Sequence, residues 1–231
     1  MKTILITGAN RGIGLAHARR YAERGARVFA TARKPAEAEE LQALAERYRG
    51  QIDIPAYDAA ESNASAALKE ALGDTPLDLL FANAGLIGSR GSAFGDTDVE
   101  AILDLLRVNA LAPLKLAEAL ADNVAASARK LIAFQSSKMG SIADNSSGGR
   151  YDYRISKAAL NMAARGVAMD LRGRGVIAVA LHPGWVQTRM GGAGAPVTVD
   201  ACVAGQQALF DRLTPDMSGR FFNYDGEELP W

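Results

Sequence analysis

Thr3-Ile4-Leu5-Ile6-Thr7-Gly8-Ala9-Asn10-Arg11-Gly12-Ile13-Gly14 stands almost at the start of the chain, and its reading decides the fold. A short apolar run rich in strand-forming residues breaks off in three glycines, and the sequence beyond them is helix-forming. Strand, tight turn and helix in that order make the first half of a βαβ unit. The first turn of such a helix has unpaired backbone N–H groups and the positive end of its dipole, so an anion belongs there. The spacing G-x-x-x-G-x-G allows a sharp turn, close approach of backbone to the anion, and close helix-to-strand packing. In a chain with 23 glycines the spacing is a modest signal that also fits a plain strand-to-helix turn. Its place directly behind the first strand gives it weight.

The same alternation runs along the chain. Strands are expected at 3–7, 27–32, 52–57, 77–83, 130–135, 176–181 and, less securely, 220–223. Helices are expected at 12–24, 35–48, 62–72, 97–126 and 151–172, where apolar residues recur three and four apart. This pattern predicts an α/β protein with a doubly wound parallel sheet of Rossmann type, formed as a single domain over 1–231. Within the fourth helix Pro113 lacks a backbone donor and should kink or divide it near Asn109. The small-residue run 191–196 reads as a loop.

Composition narrows the functional classes. The 26 basic and 26 acidic residues cancel, so no basic stripe is available for nucleic acid. One cysteine and two histidines cannot assemble a zinc site of Cys and His ligands, and no metal is expected. The apolar runs are too short for a signal peptide or a membrane span, which gives the expectation of a cytoplasmic protein without membrane partners.

Candidate chemistry sits near the start of the last expected helix, in Tyr153-Arg154-Ile155-Ser156-Lys157. A separation of four residues puts phenol and ammonium on one helix face. A phenol titrates near pH 10 and exchanges protons poorly at neutrality unless a cation stabilises its anion, which Lys157 can do. A hydroxyl from Ser137, at the end of the preceding strand, could orient a substrate carbonyl beside the phenol. Alone, a helical Tyr/Lys pair is more often a solvated face.

Five motifs together identify the sequence as resembling the short-chain dehydrogenase/reductase family. They are the glycine turn, Asn83-Ala84-Gly85, Asn109, Tyr153 with Lys157, and Pro183-Gly184. The resemblance implies a catalytic tetrad of Asn109, Ser137, Tyr153 and Lys157, with Ser137 preferred to Ser136, and Ser141 as a rival. It further implies a dinucleotide held by Gly8, Asn10, Arg11, Gly12, Ile13 and Gly14. Asp58 would approach the adenine, Asn83, Ala84 and Gly85 would steady the sheet, and Lys157 would bond the nicotinamide ribose beside Tyr153. Pro183, Gly184, Val186 and Thr188 would meet the nicotinamide. The place where NAD-using relatives carry an acid falls on Ala32, with Arg33 next to it and Arg11 in the phosphate turn, so NADP(H) is expected.

More narrowly, Gly140-Ser141-Ile142, Gly148-Gly149 and the tail from Tyr224 to Trp231 resemble sniffer-type carbonyl reductases and bacterial C-factor proteins. The implied activity is reduction of an aldehyde, ketone or quinone to an alcohol by a homodimer or higher homo-oligomer. Trp185 and Met190 stand where a pocket wall or simple packing would use them, and the segment after Thr188 is poor in polar anchors, so a broad, mainly apolar specificity is expected. A non-catalytic NAD(P)-binding sensor of the same fold is the alternative, against which the intact tetrad speaks.

Overall fold

The computed structural model describes residues 2–88 and 93–231. Its elements in chain order are β1 (Thr3–Ile6), α1 (Gly12–Glu23), β2 (Arg27–Ala30), α2 (Glu39–Arg47), β3 (Ile52–Asp53), α3 (Ala64–Leu72) and β4 (Leu79–Ala82). There follow α4 (Val99–Leu106), α5 (Ala112–Ala125), β5 (Leu131–Gln135), α6 (Tyr151–Asp170), β6 (Ile177–His182), α7 (Val199–Arg212) and β7 (Phe221–Asn223). The seven strands form one parallel sheet in the order β3-β2-β1-β4-β5-β6-β7. Order reverses between β1 and β4, which opens a crevice at the carboxyl ends of the strands. The fold is the Rossmann-type sheet that the alternation predicts.

Both faces of the sheet are covered, so the strands are apolar throughout. Ile4, Ile6, Val28, Phe81, Val179 and their neighbours pack under α1, α2 and α7, while Leu5, Phe29, Leu80, Phe134 and Ala180 pack under α3, α5 and α6. Alternate residues of each strand thus feed opposite cores.

Two departures from the sequence expectation, in β3 and α7, have physical causes, and the expected division of the long helix is found. β3 spans two residues rather than six, because Pro55 has no N–H to give a ladder, and pairing beyond it shrinks to a bridge between Ala32 and Ala56. The expected helix 97–126 is divided: a π-helical segment, Arg107–Leu111, separates α4 from α5. Pro113 cannot donate to the carbonyl four residues back, that of Asn109, which is where the disturbance falls. Finally, α7 was not among the expected helices. Its start is signed by Thr198, whose Oγ1 accepts from Ala201 N at 3.1 Å. Its buried face includes Gln206 and Gln207 beside Cys202, Val203, Leu209 and Phe210, and the two amides blur the apolar period.

Gln206 has a partner for each end. His17 Nε2 on α1 bonds Gln206 Oε1 at 2.9 Å, and Gln206 Nε2 donates to Gln135 Oε1 at 2.9 Å. His17 is fully buried against Tyr21, Phe81 and Phe210. Burial, more than the opposing bond from Gln206, pushes its pKa down to about 4. His182 is likewise lowered to about 4, chiefly by burial.

Both histidines stay neutral in the folded chain while an unfolded one takes up protons near pH 6.5, so stability is held above that pH and lost as pH falls towards 4. Within that window the loss for His17 is about 1.4 kcal/mol per pH unit. Urea unfolding at neutral pH and near pH 5 measures it, and His17→Leu should flatten the slope. An unfolding free energy indifferent to pH over that range would contradict the assignment.

Candidate active site

Four loops at the carboxyl edge of the sheet bring the motifs together. After β1, the turn from Gly8 leads into α1, whose N-cap Arg11 is extended (φ −166°) and makes no side-chain cap. The first-turn amides therefore keep their donors for another acceptor. After β4, Asn83 clasps the turn: its Nδ2 donates to Thr7 O at 2.9 Å and Gly8 O at 3.2 Å, while Thr7 Oγ1 accepts from Asn83 N and Ala84 N at 3.0 Å each. Gly14 is required by this clasp, since a Cβ there would lie 2.4 Å from Gly8 O and 2.8 Å from Asn83 Nδ2. Thr188, in the loop after β6, comes against the same turn, its Cγ2 lying 3.5 Å from where a Cβ on Gly12 would be.

The loop after β5 and the start of α6 form the reactive centre. Tyr153 is 8% exposed, and Ser137 lies near enough to its phenol for the serine hydroxyl to favour the phenolate. Ser137 Oγ also accepts from Met139 N at 3.2 Å, which fixes the hydroxyl at the head of a short 3₁₀ turn. The rival serines are committed elsewhere. Ser136 Oγ donates to Asn161 Oδ1 at 2.6 Å, and Ser141 Oγ donates to Trp231 O at 3.1 Å. Of the three, Ser137 meets the phenol.

Lys157 is buried, with its Nζ donating to Gln135 O at 2.8 Å and lying 5.8 Å from the Tyr153 ring centroid. Burial alone brings its pKa down to about 7. The phenol moves the other way: burial raises Tyr153 above the usual tyrosine value, opposed by the Ser137 bond and by the charge of Arg150. Arg150, a residue the sequence reading passed over, is thus a second cation that favours the phenolate, as far from the ring as Lys157 at 5.8 Å. No local pattern marked it, because Arg150 precedes α6 in a left-handed conformation, φ 51°, that helical spacing does not describe.

Asn109, on the π-helical segment, holds the neighbouring loop instead of touching the phenol. Its Oδ1 accepts from Leu86 N at 2.7 Å, and its Nδ2 donates to Leu86 O at 2.9 Å and to Ser156 Oγ at 3.0 Å. Gly85 lies between this amide and Lys157, a Cβ there being 3.1 Å from Asn109 Oδ1 and 3.6 Å from Lys157 Nζ.

On the far side of the crevice, Tyr57 N donates to Ala32 O at 3.0 Å, which sets Asp58 beside the end of β2 and Arg33. Asp58 Oδ1 caps its own turn by accepting from Ala60 N at 3.0 Å. Arg11 and Arg33 are both exposed, and neither joins an ion pair among the described residues. Val186 is buried and bridges Val197, Gly184 has φ +81°, and Thr188 Oγ1 accepts from Gly191 N at 3.1 Å. Trp185 is exposed and donates to Gly191 O at 2.8 Å. Tyr151 packs near Phe94, ring centroids 6.4 Å apart.

Sheet order, an uncapped glycine turn at the switch point and a buried serine, tyrosine and lysine beside it define a Rossmann-type protein built around one crevice. A family model described as short chain dehydrogenase matches residues 2–195, and the chain belongs to that family. It is 46% identical over 156 residues to C-signal of Myxococcus xanthus, an alignment covering 68% of this chain and 93% of that protein. It also resembles the carbonyl reductase Sniffer of D. melanogaster, with a TM-score of 0.91 and 34% identity over 100% of both chains. An NADPH-bound carbonyl reductase from chicken fatty liver is similar, with a TM-score of 0.91 and 34% identity over 100% of this chain and 99% of that one. Among the described residues no helix is long and apolar enough to cross a membrane.

The clasp around Gly14 yields a direct test. Gly14→Ala should displace Gly8 or Asn83 and destabilise the chain by about 1 to 3 kcal/mol, the usual cost of overpacking. Urea unfolding of the variant at parent-like free energy would show the approach to be looser than described.

Proposed function

We propose that the protein is an NADP(H)-dependent oxidoreductase that reduces a carbonyl, in an aldehyde, ketone or quinone, to the alcohol. The observation that carries this reading is the buried Tyr153 phenol, with Ser137 beside it and Lys157 flanking it, at the carboxyl edge beside the glycine turn. It is supported by the NADPH-bound carbonyl reductase among its structural likenesses. We take 1–231 as one catalytic domain, acting in the cytoplasm as a homodimer or higher homo-oligomer, on family resemblance.

The residues present fit a dinucleotide. Gly14 and Gly8 let the turn pack tightly against Asn83 and Ala84, the first turn of α1 is uncapped, and Arg11 and Arg33 are exposed cations outside any ion pair among the described residues. Asn10 and Ile13 belong to the same turn, which would take the pyrophosphate on its amides. Arg11 and Arg33 would hold a ribose phosphate, and Ala32 leaves no carboxylate to repel it. The segment of Pro183, Gly184, Val186 and Thr188 would face the nicotinamide. When bound, the cofactor supplies a hydride to the carbonyl carbon.

The chain's own residues do the rest. Ser137 Oγ orients the substrate oxygen, and Tyr153 Oη gives it a proton as negative charge develops there. Lys157, held on Gln135 O, keeps an ammonium below the phenol and favours the anion left behind. Asn109 positions the loop at Leu86 and, since Pro113 cannot donate to it, offers a main-chain carbonyl as an acceptor for a proton-relaying water. A signalling role without turnover is the second reading, favoured by the likeness to C-signal.

Tyr153→Phe should abolish NADPH oxidation against a panel of aldehydes, ketones and quinones while NADPH binding persists. Near-normal kcat in that variant would overturn the proton-donor role, and a parent that binds NADPH but turns over no carbonyl would favour the signalling reading.

Cofactor choice is read separately, as kcat/KM for NADPH against NADH in the parent and in an Arg11→Ala, Arg33→Ala double variant. Each well-formed charge-assisted bond is worth about 1.5 to 3 kcal/mol, so the preference should fall by at least tenfold. Equal use of both cofactors by the parent would remove the assignment.

A further inference from the structure

The chain enters α6 through Gly148, Gly149 and Arg150, with φ values of 62°, 65° and 51°. Glycine adopts this left-handed region freely, but arginine does not, and Arg150 and Lys130 are the two non-glycine examples among the described residues. The turn brings the Arg150 side chain back to the loop after β4 and the Tyr153 ring. Its Nη2 donates to Ile87 O at 3.0 Å, on the loop beyond Gly85, and its guanidinium carbon lies 5.8 Å from the Tyr153 ring centroid.

The two arginines of this segment differ in how their donors are used. Arg154 is spent on structure: it donates to Gly148 O, Gly149 O, Met139 O and Ser147 Oγ and so pins the loop before α6. Arg150 makes the one bond to Ile87, its buried Nε has no hydrogen-bond partner, and no ion pair engages it among the described residues. The neighbouring carboxylate, Asp152, turns Oδ1 to Tyr153 N at 2.7 Å and packs Oδ2 against Gly88. A guanidinium beside the reactive phenol therefore has donors in a planar fork, the geometry that matches a carboxylate.

We propose that Arg150 is a specificity-determining residue that selects carbonyl substrates bearing a second, anionic group, a carboxylate, held on its guanidinium while the carbonyl rests on Tyr153 and Ser137. This rests on the reductase reading and deepens it. The loop after Thr188 is poor in polar side chains, so the polar anchor comes from Arg150, beside Tyr153. A partly buried cation with unmet donors discriminates strongly, because a neutral substrate leaves those donors unpaired. The same charge also bears on Tyr153, as its opposition to the raised phenol pKa indicates.

The test compares 3- and 4-carboxybenzaldehyde with their methyl esters, which match in size but carry no charge, as substrates with NADPH near neutral pH. The quantity read is the ratio of kcat/KM for acid over ester within each protein, which cancels any general loss of activity. In the parent the better acid should be preferred by about tenfold or more, and added salt should shrink the preference. Arg150→Gln should bring the ratio towards one, mainly through KM for the acid, and Arg150→Lys should keep part of it. Thermal unfolding checks that the variants fold. If Arg150→Gln does not, Arg150→Lys and the salt dependence of the parent still decide. Turnover of the esters with no preference for the acids, or an unchanged ratio in Arg150→Gln, overturns the inference and leaves the reductase reading standing. Turnover of neither acids nor esters, together with no activity on other carbonyls, overturns both.

Discussion

The buried ammonium of Lys157 is the constraint around which the site is arranged. A charge taken out of water must be met by hydrogen bonds, and here the Gln135 carbonyl meets it at 2.8 Å. That bond requires α6 to lie hard against the end of β5. Gly140 allows it, since a Cβ there would lie 2.7 Å from the Lys157 carbonyl carbon. Asn161 then secures the contact by accepting from Ser136 and donating to Gly140 O. Gly85 leaves room on the other side, between Asn109 and the lysine. Two glycines, two amides and a serine thus serve one cation, and the phenol one helical turn earlier takes its place from the same docking.

Gln135 carries the constraint through the sheet. Its main chain faces Lys157, while its side chain enters the opposite core and accepts from Gln206 on α7, which in turn bonds His17 on α1. The helix that follows the glycine turn and the strand that holds the lysine are therefore linked by polar contacts in an otherwise apolar layer. Such contacts are directional, whereas the surrounding leucines and phenylalanines tolerate sliding, so the amides fix the register of α1 and α7 over the sheet. The neutrality of His17 follows from this place: a charged ring there would have one polar neighbour and three aromatic ones.

What could be read from the sequence follows the range of the interactions. The glycine turn and the Tyr153 and Lys157 pair are local patterns, set by chain spacing alone, and the structure puts them at one edge as expected. The division of the long helix was legible because proline acts on a residue four positions away. Gln206 and Gln207 interrupt the apolar period of α7, which was not among the expected helices. The burial of Gln206 depends on His17 and Gln135, 189 and 71 residues away. Arg150 was invisible for a related reason. Three consecutive residues with positive φ decide where its side chain goes, and nothing in the letter R marks that conformation. Ser137 was already preferred on the sequence, which could not show that its rival Ser141 donates to Trp231 O, 90 residues distant.

The electrostatics around Tyr153 separate a permanent charge from a titrating one. Lys157 and Arg150 lie equally far from its ring centroid, each at 5.8 Å. Arginine remains protonated at any physiological pH, but burial has brought the lysine to about 7, so its charge is in balance at neutrality. Below that pH both the folded and the unfolded chain carry the proton, and the fold bears the full cost of burying it. As pH rises from 7 towards 10.5, the folded lysine has lost its proton while the unfolded one keeps it, so this group's contribution makes the fold steadily less unfavourable. The protonated lysine that best supports a phenolate is therefore the form the fold tolerates least. Part of the stability supplied by the two apolar cores is spent on holding that charge where the chemistry needs it, and a fixed guanidinium at the rim lets the phenol feel a cation even when the lysine is neutral.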